Sequence, residues 1–319
     1  RKIWEKLSED ADENIRSYIA FRTSDIELQK KLSEDESETV RENVLINQHN
    51  RAEIRAWIVR NSSKESMIFS VLDTFDWPDE TLMELIDNLP KKIRLYIAEN
   101  LTVSEVVLRK LADDLWEEIR MVIAQKTSIS HDMRTKLAED PCDRVRLIIA
   151  QNPEIDQTTV IKLAGDPCDK VRVAVAENPN TDQITAIKLA EDISAKVRVA
   201  VAKRHDMNAK NLMKFADSEL DEVRLAVVNN PNSKNKIFVK LAKDVCPEIR
   251  EKVAQRTDNR DIRDELSYDE EEKVRLAVAR GWGTGKRTLE RMCRDDESLD
   301  VRLTARATVI TWFKPPYHC

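Results

Sequence analysis

The stretch Ile161-Lys-Leu-Ala-Gly-Asp-Pro-Cys-Asp-Lys-Val-Arg-Val-Ala-Val-Ala-Glu-Asn-Pro179 decides the fold. Leu163 and the small Ala164 end a first helix, and a residue as small as alanine lets another helix approach closely. Asp166-Pro167 makes a turn, because proline lacks the N–H that a helix interior needs. From Val171 to Ala176 every residue except Arg172 is apolar, so a second short helix is expected to be buried around most of its circumference. Asn178-Pro179 stops it: asparagine tolerates the left-handed backbone at a helix end, and proline forbids continuation.

The same phrase recurs along the chain. An apolar residue followed by arginine stands at Arg94, Arg120, Arg146, Arg172, Arg198, Arg224 and Arg250, six successive intervals of 26 residues. Arg16, Arg41, Arg275 and Arg302 extend the series, with Met67-Ile68 in place of the phrase in a degenerate third repeat around 48–75. Twelve rungs therefore span 1–319 as one repeat domain, each a pair of short helices that cannot bury its own faces and must stack on its neighbours. The expected fold is an all-α solenoid, a curved rod on the order of 100 Å long at helix spacings of roughly 8–10 Å. Residues 308–319 depart from the repeat, and Thr311-Trp-Phe313 is expected to cap the last rung. The first rung shows no evident polar cap, which suggests that further residues precede Arg1.

Six residues before the arginine stands an aspartate in nine of the twelve rungs, with Ser62, Asn88 and Ser218 in the others. Such an aspartate can accept N–H bonds at the start of the second helix and meet a guanidinium of its own or the adjacent rung. Asp114, Arg120, Asp140, Arg146, Asp166, Arg172, Asp192, Arg198, Asp244 and Arg250 are therefore assigned to a structural ladder that sets the register of stacked rungs. A residue common to nearly every rung carries no information about a particular ligand.

The phrase Leu-Ala-x-Asp-x-x-x-x-Val-Arg-x-x-Val-Ala-x-Asn-Pro, clearest in rungs five to eight, resembles the leucine-rich repeat variant, a relative of HEAT repeats. The resemblance covers essentially the whole chain. It implies a right-handed superhelix of about twelve two-helix repeats, and the Asp and Arg six apart are similar to the HEAT ladder pair. A founding member of that family carries a cysteine-ligated iron–sulfur cluster; no cysteine-rich segment is present here, so no cofactor is implied.

Composition narrows the function classes. Charged residues make up 35% of the chain and aromatics 5%, and four glycines are too few for barrels, sandwiches or nucleotide-binding α/β folds. No apolar run reaches the ~20 residues of a membrane span, and no basic-then-apolar signal segment opens the chain. Five cysteines form no disulfide framework, so the expected setting is cytoplasmic. Residues 1–80 hold 18 Asp/Glu against 12 Lys/Arg, and the net charge of −6 lacks the basic excess of a non-specific nucleic-acid binder.

Cys142, Cys168 and Cys246 share one register position without a histidine or second cysteine at ligand spacing, so they are read as small buried hydrophobes rather than a metal site. Gly281-Trp-Gly-Thr-Gly-Lys286 lacks the spacing of a phosphate loop and is read as an inter-rung bend. The lysines ten residues before the arginine, such as Lys136 and Lys188, are answered three residues later by Glu139 and Glu191, an inert solvated face. A binding surface should vary where the fold requires no constancy. Two residues before the arginine, Arg144, Lys170 and Lys196 form a basic middle between Glu118, Glu222 and Glu248, while Lys126, Lys203, Arg204 and Arg256 follow the second helices. Trp57 and Trp77 of the irregular third rung mark either a protein contact or a repacked joint.

The expectation is a non-catalytic scaffold that binds another macromolecule, most readily a protein, along its concave surface. The alternatives are a nucleic-acid-binding protein, including one similar to the alkylpurine DNA glycosylases built on HEAT-like repeats, and a structural element that self-associates through rung three or the C-terminal tail.

Overall fold

The computed structural model describes residues 2–313. These form 24 α-helices and no strands, two helices to a rung, an all-α solenoid repeat. The first helices are mostly seven residues long, as in Gln157–Leu163 and Gln183–Leu189, and the second mostly nine or ten, as in Asp169–Glu177 and Pro247–Arg256. Packing divides the chain into two compact units, Arg1–Ile149 and Ala150–Cys319. Each is described by itself below.

In the second unit the helices Asp169–Glu177, Ala195–Lys203, Asp221–Asn229, Pro247–Arg256 and Glu272–Arg280 pack directly on one another in sequence. Alanine at the contacts permits this, since Ala174, Ala200, Ala226 and Ala277 are buried between larger residues such as Val175, Val201 and Val227. The first helices contribute Leu163, Leu189, Phe215, Leu241 and Leu266, all buried, and close the core from the other side. In the first unit Leu32, Leu85, Leu111 and Leu137 do the same, and Met67 and Ile68 are buried on the second helix of rung three, Glu65–Thr74, where the phrase is replaced.

The second helices do not end through a left-handed residue. Among the described residues none, glycine included, has a positive φ, and Asn178, at φ −67° and ψ 128°, is extended. Asparagine is there for its side chain: Asn178 Nδ2 donates to the carbonyls of Ala150 (2.7 Å) and Asn152 (2.9 Å), the end of the preceding second helix. Asn230 repeats this on Ala202 and Arg204, and Asn47 on Ala20 and Thr23 in the first unit. A helix end leaves carbonyls without partners, and in these rungs the asparagine satisfies those of the rung before it.

The glycine-rich bend has a steric cause. A Cβ on Gly281 would stand 1.6 Å from Arg263 Nη1, and Arg263 is 1% exposed, its Nε donating to Thr257 O at 2.8 Å. Gly281 occupies the register of Asn178 and Asn230, and the buried arginine fills the space that its missing side chain leaves. Burial pushes the Arg263 guanidinium below its ordinary pKa, against the opposing charge of Asp258.

The last helix, Leu299–Phe313, continues through the first part of the expected cap. Ile310, Trp312 and Phe313 remain exposed along it, so these side chains do not seal the core; the rest of that segment lies outside the described residues. No helix among the described residues is long and apolar enough to cross a membrane.

Asn230→Ala removes the donor for two buried carbonyls and is expected to lower the unfolding free energy by ~1–3 kcal/mol. Lys188→Ala, at an exposed position with no bond to lose, should leave it near wild type. Chemical denaturation of both variants checks this.

Candidate binding surface

The ladder runs from an arginine to the aspartate of the following rung wherever that rung carries one. Arg172 Nε donates to Asp192 Oδ2 at 2.7 Å and Nη2 to Oδ1 at 2.9 Å, while Nη1 donates to Asp166 O and Pro167 O of its own turn. One guanidinium thus binds its own rung through the backbone and the next through a bidentate carboxylate. Arg224–Asp244, Arg250–Asp269 and Arg275–Asp296 repeat the link in the second unit, and Arg16–Asp35, Arg94–Asp114 and Arg120–Asp140 in the first. The aspartate also accepts the N–H two residues on, as Asp244 does from Cys246 and Asp140 from Cys142. The cysteine register is therefore that of a turn residue whose backbone the ladder uses. Arg198 donates to Asp192 O and Ile193 O, and the position opposite it in the next rung is Ser218.

Burial works against the charge of Asp192, but the Arg172 guanidinium, the Ser194 N–H and the nearby Arg198 outweigh it and hold the carboxyl below its ordinary value. Asp35 is depressed in the same way by Arg16, Ser37 and Arg41. The Asp244 carboxylate holds the Arg224 guanidinium above its ordinary value against burial.

Lysines of the first helices also reach across rungs rather than along their own helix. Lys136 meets Asp113, Lys110 meets Asp87, and Lys31 and Lys240 meet Glu9 and Asp217. An acid at the helix end of one rung lies nearer the next rung's lysine than the acid three residues along.

Two of the candidate binding residues belong to the scaffold. Arg204 and Arg256 stand in the register of Asn178 and Asn230, and their guanidinium groups do the asparagine's work. Arg204 donates to Ala176 O, Asn178 O and Thr181 O and pairs with Asp206 at 2.8 Å. Arg256 donates to Val228 O and Asn230 O, and burial lowers its pKa. Neither presents a free charge to a partner. Lys126 shares their register in the first unit and is half-buried. Arg144 is exposed and pairs with Glu117 at 3.2 Å.

Trp57 and Trp77 are half-buried within the irregular joint of rung three. Lys30 lies over the Trp57 ring, Arg55 stacks on Phe75 at 3.6 Å, and Phe69 stacks on Tyr96 with centroids 4.3 Å apart. Aromatic and cation–π contacts take over where Ser62 and Ile68 have replaced the ladder pair.

Lys170, Lys196 and Lys203 remain exposed on the second helices. Lys196 and Lys203 line a groove of about 590 Å³ across the helices Asp169–Glu177, Ala195–Lys203 and Asp221–Asn229. Its apolar lining is Val173, Val199, Ala200, Leu225 and Ala226, and Glu177 and Glu222 line the same groove. The register one residue after the arginine generates this lining, a signal present in the repeat that the charge stripe alone does not reveal.

No family model matches the sequence, and no curated protein matches it. Among solved structures, one described as a leucine-rich repeat variant with a novel repetitive structural motif aligns with a TM-score of 0.55 at 24% identity, covering 70% of this chain and 85% of that one. The fold is that of the leucine-rich repeat variant. At this identity the likeness concerns fold alone. An engineered protein aligns over 99% of both chains at 13% identity, but its TM-score of 0.27 is too low to bear on the leucine-rich repeat variant architecture.

The depressed carboxyls give the fold a pH dependence. A carboxyl whose folded pKa lies below its unfolded value contributes stability that is complete above about pH 4–5 and is lost as pH falls through the folded value. The stability difference between wild type and Asp192→Asn is therefore expected to be full at pH 7 and to shrink on acidification below about pH 4. Thermal unfolding at both pH values measures it.

Proposed function

We propose that the protein is a non-catalytic scaffold that binds another protein through the second-helix groove of its second unit. The observation that carries this reading is the juxtaposition in one groove of half-buried apolar side chains, Val173, Val199 and Leu225, with Lys196 and Lys203, for which the structure shows no ion pair. The fold buries apolar residues wherever two rungs meet, and Lys31, Lys110, Lys136 and Lys240 of the first helices are matched by carboxylates of the preceding rung. A partner surface with apolar side chains at its centre and acidic groups opposite the lysines complements the groove. Glu177 and Glu222 in the same lining oppose a continuous phosphate backbone, which favours protein over nucleic acid.

Lys196→Glu/Lys203→Glu reverses both charges without touching the ladder. Proteins captured from an extract by wild type through this groove should be lost to the double variant and retained by Lys188→Glu, with helical circular dichroism unchanged in all three. Identical recovery by wild type and the double variant removes the groove from consideration. A duplex oligonucleotide shifted at low salt and released steeply as salt rises would favour the nucleic-acid reading instead.

A further inference from the structure

Arg16, Arg94, Arg120, Arg172, Arg224, Arg250 and Arg275 each spend Nε and Nη2 on carboxylate oxygens of the following rung. Arg198 is built for the same grip and lacks it. Its Nη1 donates to Asp192 O and Ile193 O, as that of Arg172 does to Asp166 O and Pro167 O, so its own turn holds the guanidinium in the ladder position. The rung it faces carries Ser218 in place of aspartate. Nε and Nη2 of Arg198 have no partner among the described residues, and neither atom is sealed from water.

Ser218 keeps half of the aspartate's work. The ladder aspartate accepts the N–H two residues on, as Asp244 does from Cys246, and Ser218 Oγ accepts that of Leu220 at 3.3 Å. The other half, reaching back to the preceding rung, is lost because serine is shorter by the carboxyl group that the guanidinium grips elsewhere. Arg41 opposite Ser62 repeats the arrangement in the first unit, but there Glu34 already brings a carboxylate to the N–H and hydroxyl of Ser63. The open case is in the second unit.

The acids around Arg198 are engaged elsewhere or turned away. Asp192 of its own turn is taken by Arg172, and of the facing turn Asp217 is taken by Lys240 and Asp221 by Arg224. Glu219 stands in the register from which Glu270 and Glu297 reach the preceding arginine at 3.4 and 2.8 Å, yet it is exposed and makes no such pair. Two parallel N–H donors on one guanidinium match a planar carboxylate. A phosphate dianion would bring its second charge close to Asp192 and Glu219. We propose that Arg198, opposite Ser218, binds one carboxylate from outside the chain, which completes the ladder between rungs eight and nine. A free carboxylate ion and an acidic side chain of a bound protein present the same group, and the probes below separate them.

Sodium acetate, exchanged for sodium chloride at constant ionic strength and neutral pH, is titrated into the isotope-labelled 319-residue chain and followed by NMR of the arginine Nε–H groups. The Arg198 resonance, assigned by its loss in Arg198→Lys, should shift saturably while that of Arg172 stays in place, and acetate should raise the unfolding midpoint. Ser218→Asp supplies the carboxylate from within; it should raise the midpoint in chloride and weaken acetate binding at least about tenfold. N-acetylaspartate amide, a capped side chain, separates the sources. Binding at least as tight as acetate assigns the site to an acidic side chain of a partner, and its exclusion with acetate retained assigns it to a free ion; both support the proposal. An unmoved Arg198 resonance overturns it, as does equal acetate binding by Ser218→Asp, which puts the anion elsewhere. Tighter binding of inorganic phosphate than of acetate overturns the choice of carboxylate. A shift that appears only in Glu219→Gln overturns the proposal too, because the chain then fills the place with its own glutamate.

Discussion

The link on which the structure depends is a guanidinium that serves two rungs at once. Nη1 of the arginine ties down the carbonyls of its own turn, and Nε and Nη2 grip the carboxylate of the next, as Arg224 does with Ser218 O and Asp244. Both side chains are almost wholly enclosed, at 8% and 4% exposure. A buried ion pair adds little over well-packed apolar residues, but half of one is costly because an uncompensated charge remains. The chain follows that asymmetry. Where Ile68 replaces the arginine, the following rung carries Asn88 rather than aspartate, so no carboxylate is left alone. Arg41 and Arg198 face Ser62 and Ser218, and each is still held by its own turn carbonyls. After the first rung an aspartate at this register always follows an arginine.

Most of the architecture was legible because it is periodic. Interval, leucine register and the Asp and Arg six apart specify two short helices and their stacking, and the structure has both. What the linear pattern could not resolve was which copy of a repeated residue meets which. Asp192 and Arg198 stand six apart, yet Arg172 of the preceding rung holds Asp192. Lys136 has Glu139 three residues on, yet it meets Asp113. In a repeat every position has an equivalent one rung away, and spacing within one copy does not distinguish the two choices; side-chain length and the offset between rungs do.

The candidate site was legible only in part, for a related reason. Arg204 and Arg256 read as surface charge because they interrupt an asparagine series that itself reads as a helix stop. Once Asn178 and Asn230 are seen to reach back to the preceding rung, the arginines become longer donors to the same carbonyls. Lys196 and Lys203 escape that fate because their registers have no structural task. The general rule is that a repeat protein offers contact positions where the scaffold makes no use of the side chain. Lys196 and Lys203 stand at such positions.

The central claim, that arginine and the next rung's aspartate act as one unit, is tested most directly by a double-mutant cycle on Arg224 and Asp244. The account predicts that Arg224→Met alone destabilises more than Asp244→Asn alone, and that the double variant, the counterpart of Ile68 with Asn88, recovers part of the loss with a coupling of at least ~1 kcal/mol. Additive losses, or a double variant weaker than either additive estimate, would show that the two side chains stabilise their rungs separately.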